Sequence, residues 1–254
     1  MLNLADHDVS PSDFLADRFV DWGLDRDKMS VIENGLDVKE AANTRALSKA
    51  QPRRSRFAFF GQLTMFKGAD ILLDAVGRVP DEIWGDDARM MIFGGNLERQ
   101  PIEYQEKVHD LIEKAGERVR FYGAYQNSEM PKLMELADWT IIPSIWWENS
   151  PIVIQEAFFH GRPMICSNIG GMAEKITDGV NGLHFRVGSA EDLADRLVDA
   201  LTDNKIWDRM REGIPRPPTY IDCAEQHLAQ YREVLETRPM SVTPVSQHSV
   251  ASTA

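Results

Sequence analysis

An α/β fold, built on a doubly wound parallel sheet of about six strands, is what this sequence predicts. Three observations carry the expectation. From Phe57 onward, short apolar runs alternate with longer stretches whose apolar residues recur at helical spacing. The short runs are apolar throughout, as in strands covered on both faces. Most of them stop at a glycine or proline (Gly61, Gly94, Gly123, Pro143) shortly before a helix start, which is the punctuation of strand-loop-helix units.

The chain has 254 residues, a net charge of −12 and 43% hydrophobic residues. That profile suits a globular chain with a large core. The acidity argues against nucleic acid, whose phosphates call for clustered Lys and Arg. No run of about 18 apolar residues is present to cross a membrane. The acidic start lacks a signal-peptide pattern, so a cytoplasmic location is expected. Two cysteines, Cys166 and Cys223, make no disulfide framework, and Cys166 reads as a reduced core thiol. No Cys/His spacing suits zinc, and neither a Walker A motif nor a Gly-x-Gly-x-x-Gly fingerprint occurs. No metal and no cofactor are expected.

Taken in order, Met1 to Val9 reads as a strand edge. Ser10-Pro11-Ser12-Asp13 opens a helix to about Trp22, capped by Ser10 or Ser12 and ended by Gly23. Met29 to Ile32 is a short strand, and Asn34-Gly35 a turn. Lys39 to Arg56 is polar and basic, a surface loop or ragged helix. Strands follow at 57–60, 90–93, 119–122, 140–142, 164–167 and 182–185. Helices are expected at 69–79, 102–115, 127–136, 151–160, 172–176, 190–201, 205–213 and 222–236. Pro131 is tolerated only in a first turn. Ile214 to Pro218 is a stiff connector. The segment 237–254, rich in Ser, Thr and Pro without period, is expected to be disordered.

The chain is organised around the stretch from Thr140 to Gly161. A β-branched strand stops at Pro143. A loop then carries Trp146, Trp147 and Glu148. Ser150 stands at an N-cap position with Pro151 at the first helical position. Glu156 is a lone carboxylate on an apolar helix, eight residues after Glu148. A helix start after a parallel strand is an anion site, and a carboxylate beside it suits a ligand with hydroxyl groups. A phosphate joined to a sugar satisfies both. On these residues alone the plainer alternative stays open, in which Glu148 is a solvated loop acid and Glu156 is hydrogen-bonded in the core. Lys67 lies at the expected start of the helix after the first strand, where a cation opposes the helix dipole. A bound diphosphate resolves that conflict, and a solvated lysine is the rival. His160, before Gly161, reads as a helix-end residue and not as a base. One of the two tryptophans is expected in the core, the other exposed.

The spacing of Glu148 and Glu156, followed by Ala157, Gly161 and Pro163, resembles the donor-site signature of retaining glycosyltransferases of family four. Four further motifs stand in the family's order: Val31 to Asp37, Gly61-Gln62-Leu63 with Lys67-Gly68, Gly170 to Glu174, and Asp178 to Leu183. The resemblance runs from about Val9 to Glu236. It implies the C-terminal, donor-binding half of a GT-B fold, a Rossmann-like domain. Residues 1–38 would be the remnant of an acceptor domain and the link, 39–221 the nucleotide-sugar domain, 222–236 a helix crossing back, and 237–254 a tail.

The resemblance also implies roles. Glu148 and Lys67 would be catalytic, Glu148 receiving donor-sugar hydroxyls and Lys67 the diphosphate. Gly61, Gln62, Gly94, Gly95, Tyr125, Asn149, Ser150, Pro151 and Glu156 would bind substrate, with Glu156 on the ribose and the base beside Gly123, Ala124 and Tyr125. Asn149 and Ser150 would use their amides. Gln62 stands where the family usually has an arginine, and Arg162 and Lys175 are candidates for the missing charge by neighbourhood alone. Gly170-Gly171 resembles a phosphate cradle but reads as a structural turn. The implied partners are a nucleotide-sugar donor, an unknown glycan, lipid or small-molecule acceptor, and an N-terminal acceptor half. The implied activity is sugar transfer with retention. A non-catalytic nucleotide-sugar module, or another GT-B enzyme such as a nucleotide-sugar epimerase, is the alternative.

Overall fold

The computed structural model describes residues 5–37 and 40–237. The expected strand residues 1–4 and the expected tail beyond Thr237 lie outside them. In chain order, the first unit is β1 (Asp8–Ser10), α1 (Asp13–Asp21) and β2 (Met29–Val31). The large unit follows: β3 (Arg56–Phe60), α2 (Ala69–Arg78), α3 (Asp81–Trp84), β4 (Arg89–Phe93), α4 (Ile102–Ala115), β5 (Val119–Gly123), α5 (Met130–Leu136) and β6 (Trp139–Ile142). It continues with α6 (Ile152–Phe159), β7 (Met164–Ser167), α7 (Gly170–Lys175), β8 (Gly182–Phe185), α8 (Ala190–Thr202) and α9 (Ile206–Glu212), and α10 (Tyr220–Thr237) closes the described chain.

Alternation along each strand sorts the core into two layers. Phe57 and Phe59 of β3, Met90 and Ile92 of β4, and Trp139 and Ile141 of β6 face one layer with α2, α4, α8 and α9. Ala58 and Phe60, Met91 and Phe93, and Ile142 face the other with α5, α6 and α7. Each central strand thus buries both faces, which is why its sequence is apolar without alternation.

The six strands are parallel in the order β5-β4-β3-β6-β7-β8. The chain winds outward from β3 to β5, then returns to β6 beside β3 and winds the other way. The crevice beyond the ends of β3 and β6 is therefore the topological switch point, where such sheets bind ligands.

The first unit forms its own two-stranded parallel sheet, β1 with β2. Ser12 caps α1, accepting from the Leu15 amide at 3.2 Å. The Glu174 carboxylate of α7 accepts from the amides of Asp13 (3.2 Å) and Phe14 (2.7 Å). From α10, Gln230 accepts from the Ser30 hydroxyl at 2.5 Å.

One loop expectation needs correction. Asn34-Gly35 forms no hydrogen-bonded turn. A Cβ on Gly35 would lie 2.4 Å from the Thr219 carbonyl oxygen, so glycine serves the close passage of the link past the start of α10. The segment 40–56 is a loop without a helix, the first of its two expected forms, and its arginines tie it to the fold. Its Arg45 and Arg54 pair with the fully buried Asp138 at 2.6 and 3.3 Å, and Arg53 pairs with Asp87. Thr237, expected in the tail, ends α10.

Candidate functional site

The loops after β3 and β6 meet at the switch point. The Ile145 amide donates to the Phe66 carbonyl at 2.9 Å. Gly68 adopts φ +67°, and a Cβ there would lie 2.0 Å from the Pro143 carbonyl oxygen. Only glycine allows this approach. It places Lys67, which ends a short 3-10 turn ahead of α2, against the second loop. Lys67 Nζ donates to Glu148 Oε1 at 2.6 Å, and the buried Ser144 hydroxyl donates to the same oxygen at 2.8 Å. Lys67 is thus not in the first turn of α2, as expected, and its charge is met by Glu148 rather than opposed by the helix. Sequence reasoning missed Ser144, although it directly follows the strand-ending Pro143.

Gly171 fixes the other side of the Glu148 loop. Its amide donates to the Glu148 carbonyl at 2.7 Å, and a Cβ on it would lie 1.9 Å from the Asn149 carbonyl oxygen. Gly170 and Gly171 open α7 and brace this loop.

The start of α6 departs from the expectation. Ser150 is not the N-cap. Pro151 holds that position with ψ 119°, and no side chain caps the helix. The Ser150 hydroxyl donates instead to Glu33 Oε1, and Gln155 Nε2 donates to the same oxygen at 2.7 Å. Neither Glu33 nor Gln155 was singled out from the sequence. Gln155 had a signal, being polar on an apolar helix beside Glu156.

Along α6, Ile152, Glu156 and His160 line one open cavity of ≈ 630 Å³, together with Asn127 and Ser128 after β5 and Leu36 of the link. That volume lies in the range of small-molecule sites, about 300–1,000 Å³. Burial pushes the Glu156 carboxyl above its usual range. Burial and the Glu156 charge together push the Tyr125 hydroxyl up to about 12, so these two side chains share one environment. His160 closes α6, but burial and neighbouring Arg162 hold its ring down at about 4. It is neutral, not the cation a helix end would welcome, and its Nδ1 accepts from the Ala42 amide at 2.9 Å.

Other expected site residues fall elsewhere. Gly94, Gly95, Gly123 and Ala124 line a second hollow, of ≈ 410 Å³. A Cβ on Gly94 would lie 1.9 Å from the Gly61 carbonyl oxygen, so Gly94 packs two loops together. Gln62 is exposed and accepts from Asn96 Nδ2 at 3.4 Å. Arg162 is fully buried and donates to the carbonyls of Met134, Ala137, His160 and Asn43. Lys175 pairs with Glu33 and Glu174. Neither cation is placed to replace the missing arginine. Both tryptophans of the loop are exposed, Trp146 at 60% and Trp147 at 46%, where one was expected in the core. Trp146 meets Phe66 edge-on and Trp147 meets Phe14. Among the described residues no group of three or more His, Cys, Asp or Glu is arranged to hold a metal, and no helix is long and apolar enough to cross a membrane.

The α/β fold with its six-stranded parallel sheet matches structural neighbours of the GT-B glycosyltransferase type. Residues 42–216 match the family described as glycosyl transferases group 1, and the chain belongs to that family. It is 29% identical over 215 residues to the D-inositol 3-phosphate glycosyltransferase of Corynebacterium glutamicum (strain R), covering 80% of this chain and 50% of that protein. It is 27% identical over 201 residues to spore coat protein SA of Bacillus subtilis (strain 168), covering 73% and 52%. The chain thus spans about half the length of these curated relatives. Among solved structures, Anabaena Alr3699/HepE in complex with UDP superposes with a TM-score of 0.75 at 21% identity, covering 90% of this chain and 64% of that one.

Proposed function

We propose that this chain is the donor-binding half of a retaining glycosyltransferase that takes its sugar from a nucleoside diphosphate sugar. One observation carries the reading: the Lys67–Glu148 pair joins the loops of β3 and β6 at the switch point, beside the uncapped start of α6. An ammonium and open helix amides suit a diphosphate, and a carboxylate suits sugar hydroxyls. Glu156, Tyr125 and the adjoining cavity take the ribose and base, and hydroxyls donating to the Glu156 carboxylate offset the cost of its burial.

In the transfer, the bond from the anomeric carbon to the diphosphate oxygen breaks, and a bond to the acceptor oxygen forms on the same face. The acceptor's proton leaves with the departing diphosphate. Lys67 meets the charge that builds on that diphosphate, and Glu148 holds and steadies the sugar without attacking it. The acceptor is a glycan, lipid or small molecule, held against an N-terminal half of the kind the longer relatives have room for. The site works in the cytoplasm and needs no metal. A second reading is a nucleotide-sugar module with little turnover. It is favoured by Gln62, which supplies no charge and is bonded to Asn96.

The test is calorimetric titration with UDP, GDP and ADP and their glucose or mannose conjugates. UDP comes first because HepE is solved with UDP-glucose. One base series is expected to bind, and Glu156→Ala to weaken it by about ten- to a hundredfold, the worth of hydrogen bonds to a charged group. Binding of none, or binding that Glu156→Ala leaves unchanged, would overturn the reading.

A further inference from the structure

We infer that Glu33 is a positioning residue for the donor site: it turns the Ser150 hydroxyl away from α6 and so keeps the first amides of that helix open to the donor. The inference rests on the donor reading above. Ser150-Pro151 is a strong helix start, with serine favoured at the N-cap and proline at the first helical position. Left to itself, this pair would begin the helix at Pro151, and Ser150 Oγ would accept from an amide of the first turn. The molecule does otherwise. Pro151 is extended, α6 begins at Ile152, and no side chain caps it.

What opposes the local preference is Glu33, on the link and ahead of the residues that match the family. Its Oε1 receives both the Ser150 hydroxyl and Gln155 Nε2. Its Oε2 pairs with Lys175 of α7. Lys175 in turn meets Glu174 at 3.2 Å, whose carboxylate receives the amides at the start of α1. A charge-assisted hydrogen bond to a carboxylate outweighs a neutral one to a backbone amide, so Glu33 wins the hydroxyl. The docking of residues 5–37 and the openness of the donor helix are thereby tied through one carboxylate. Without Glu33, Ser150 would cap α6 and compete with the donor for the same amides.

The experiment uses the full chain and two readouts, amide hydrogen exchange at Ile152 and Val153 without ligand and affinity for UDP-glucose and GDP-mannose. Glu33→Ala and Glu33→Met both remove the acceptor oxygens, the second keeping bulk so that a folded variant remains. In either, exchange at Ile152 and Val153 is expected to slow, and donor affinity to fall about fivefold, the worth of one cap. Glu33→Gln still accepts from Ser150 but without the charge that outweighs the cap, and is expected to fall between wild type and Glu33→Met in both properties. Adding Ser150→Ala to Glu33→Met is expected to return exchange to its fast value. Lys175→Met breaks the ion pair but not the hydroxyl contact and is expected to leave exchange unchanged. Wild-type exchange and affinity in Glu33→Met, no return of exchange in the double variant, or the same slowing in Lys175→Met would each overturn the inference while leaving the donor reading intact. A wild-type chain that binds none of the UDP, GDP and ADP sugars would overturn both.

Discussion

Glu156 and His160 stand one turn apart on α6, and burial favours the uncharged form of each. For His160 the consequence for stability has a definite sign. The unfolded chain takes up a proton near the ordinary imidazole value of about 6.5, whereas the folded chain resists until about 4. Between those values the unfolded state binds more protons, so stability falls as the pH falls from 6.5 to 4. The loss is on the order of 3 kcal/mol, and thermal melting across that range should show it. In His160→Gln the slope should flatten, and a slope equal to wild type would mean that another group is responsible. At this scale the sequence was legible where a residue contradicts its surroundings. A carboxylate on an apolar helix marked Glu156. The neutrality of His160 was not legible, because it comes first from the burial of the ring and then from the Arg162 charge, and the burial exists only in the folded chain.

Elements were legible where period and punctuation agree. The helix 102–115 and the strands 164–167 and 182–185 fall where the sequence placed them, since each has a buried face or faces of regular spacing and a Gly or Pro at its end. Segments whose fate is set by distant partners were not. Residues 40–56 read as a ragged polar stretch, yet Asp138, at the head of β6, gathers Arg45, Arg54 and the Arg56 amide, and its carbonyl receives Trp207 Nε1 at 2.7 Å. Removing the carboxylate leaves two guanidinium groups without their partner inside the fold. Asp138→Ala is therefore expected to cost about 3–5 kcal/mol, as when one member of a buried ion pair is lost, read as a lower urea midpoint. An unchanged midpoint would show that the arginines find other partners. The start of α6 failed for the same reason: Ser150 obeys Glu33, 117 residues away, and not its own helix.

For the whole molecule, alternation of strand and helix gave the fold class, and the family motifs gave the direction in which to look for a ligand. Strand order and its switch point belong to pairing across the chain and appear only in the folded sheet. So does the direct contact of Lys67 with Glu148, which the sequence singled out separately. Around that contact, Phe66, Trp146 and Trp147 are exposed, an aromatic rim at the mouth of the crevice. The central claim is that this ion pair is the seat of the donor, with Lys67 for the diphosphate and Glu148 for the sugar. The measurement that tests it most directly is the affinity of UDP and of UDP-glucose for the wild-type chain, Lys67→Met and Glu148→Gln, taken side by side by calorimetry. Lys67→Met is expected to weaken both ligands by about tenfold or more, the worth of a charge-assisted contact. Glu148→Gln is expected to weaken UDP-glucose while leaving UDP unweakened, because it removes the partner of the sugar and also the competitor for Lys67. Wild-type affinity for both ligands in both variants would contradict the account.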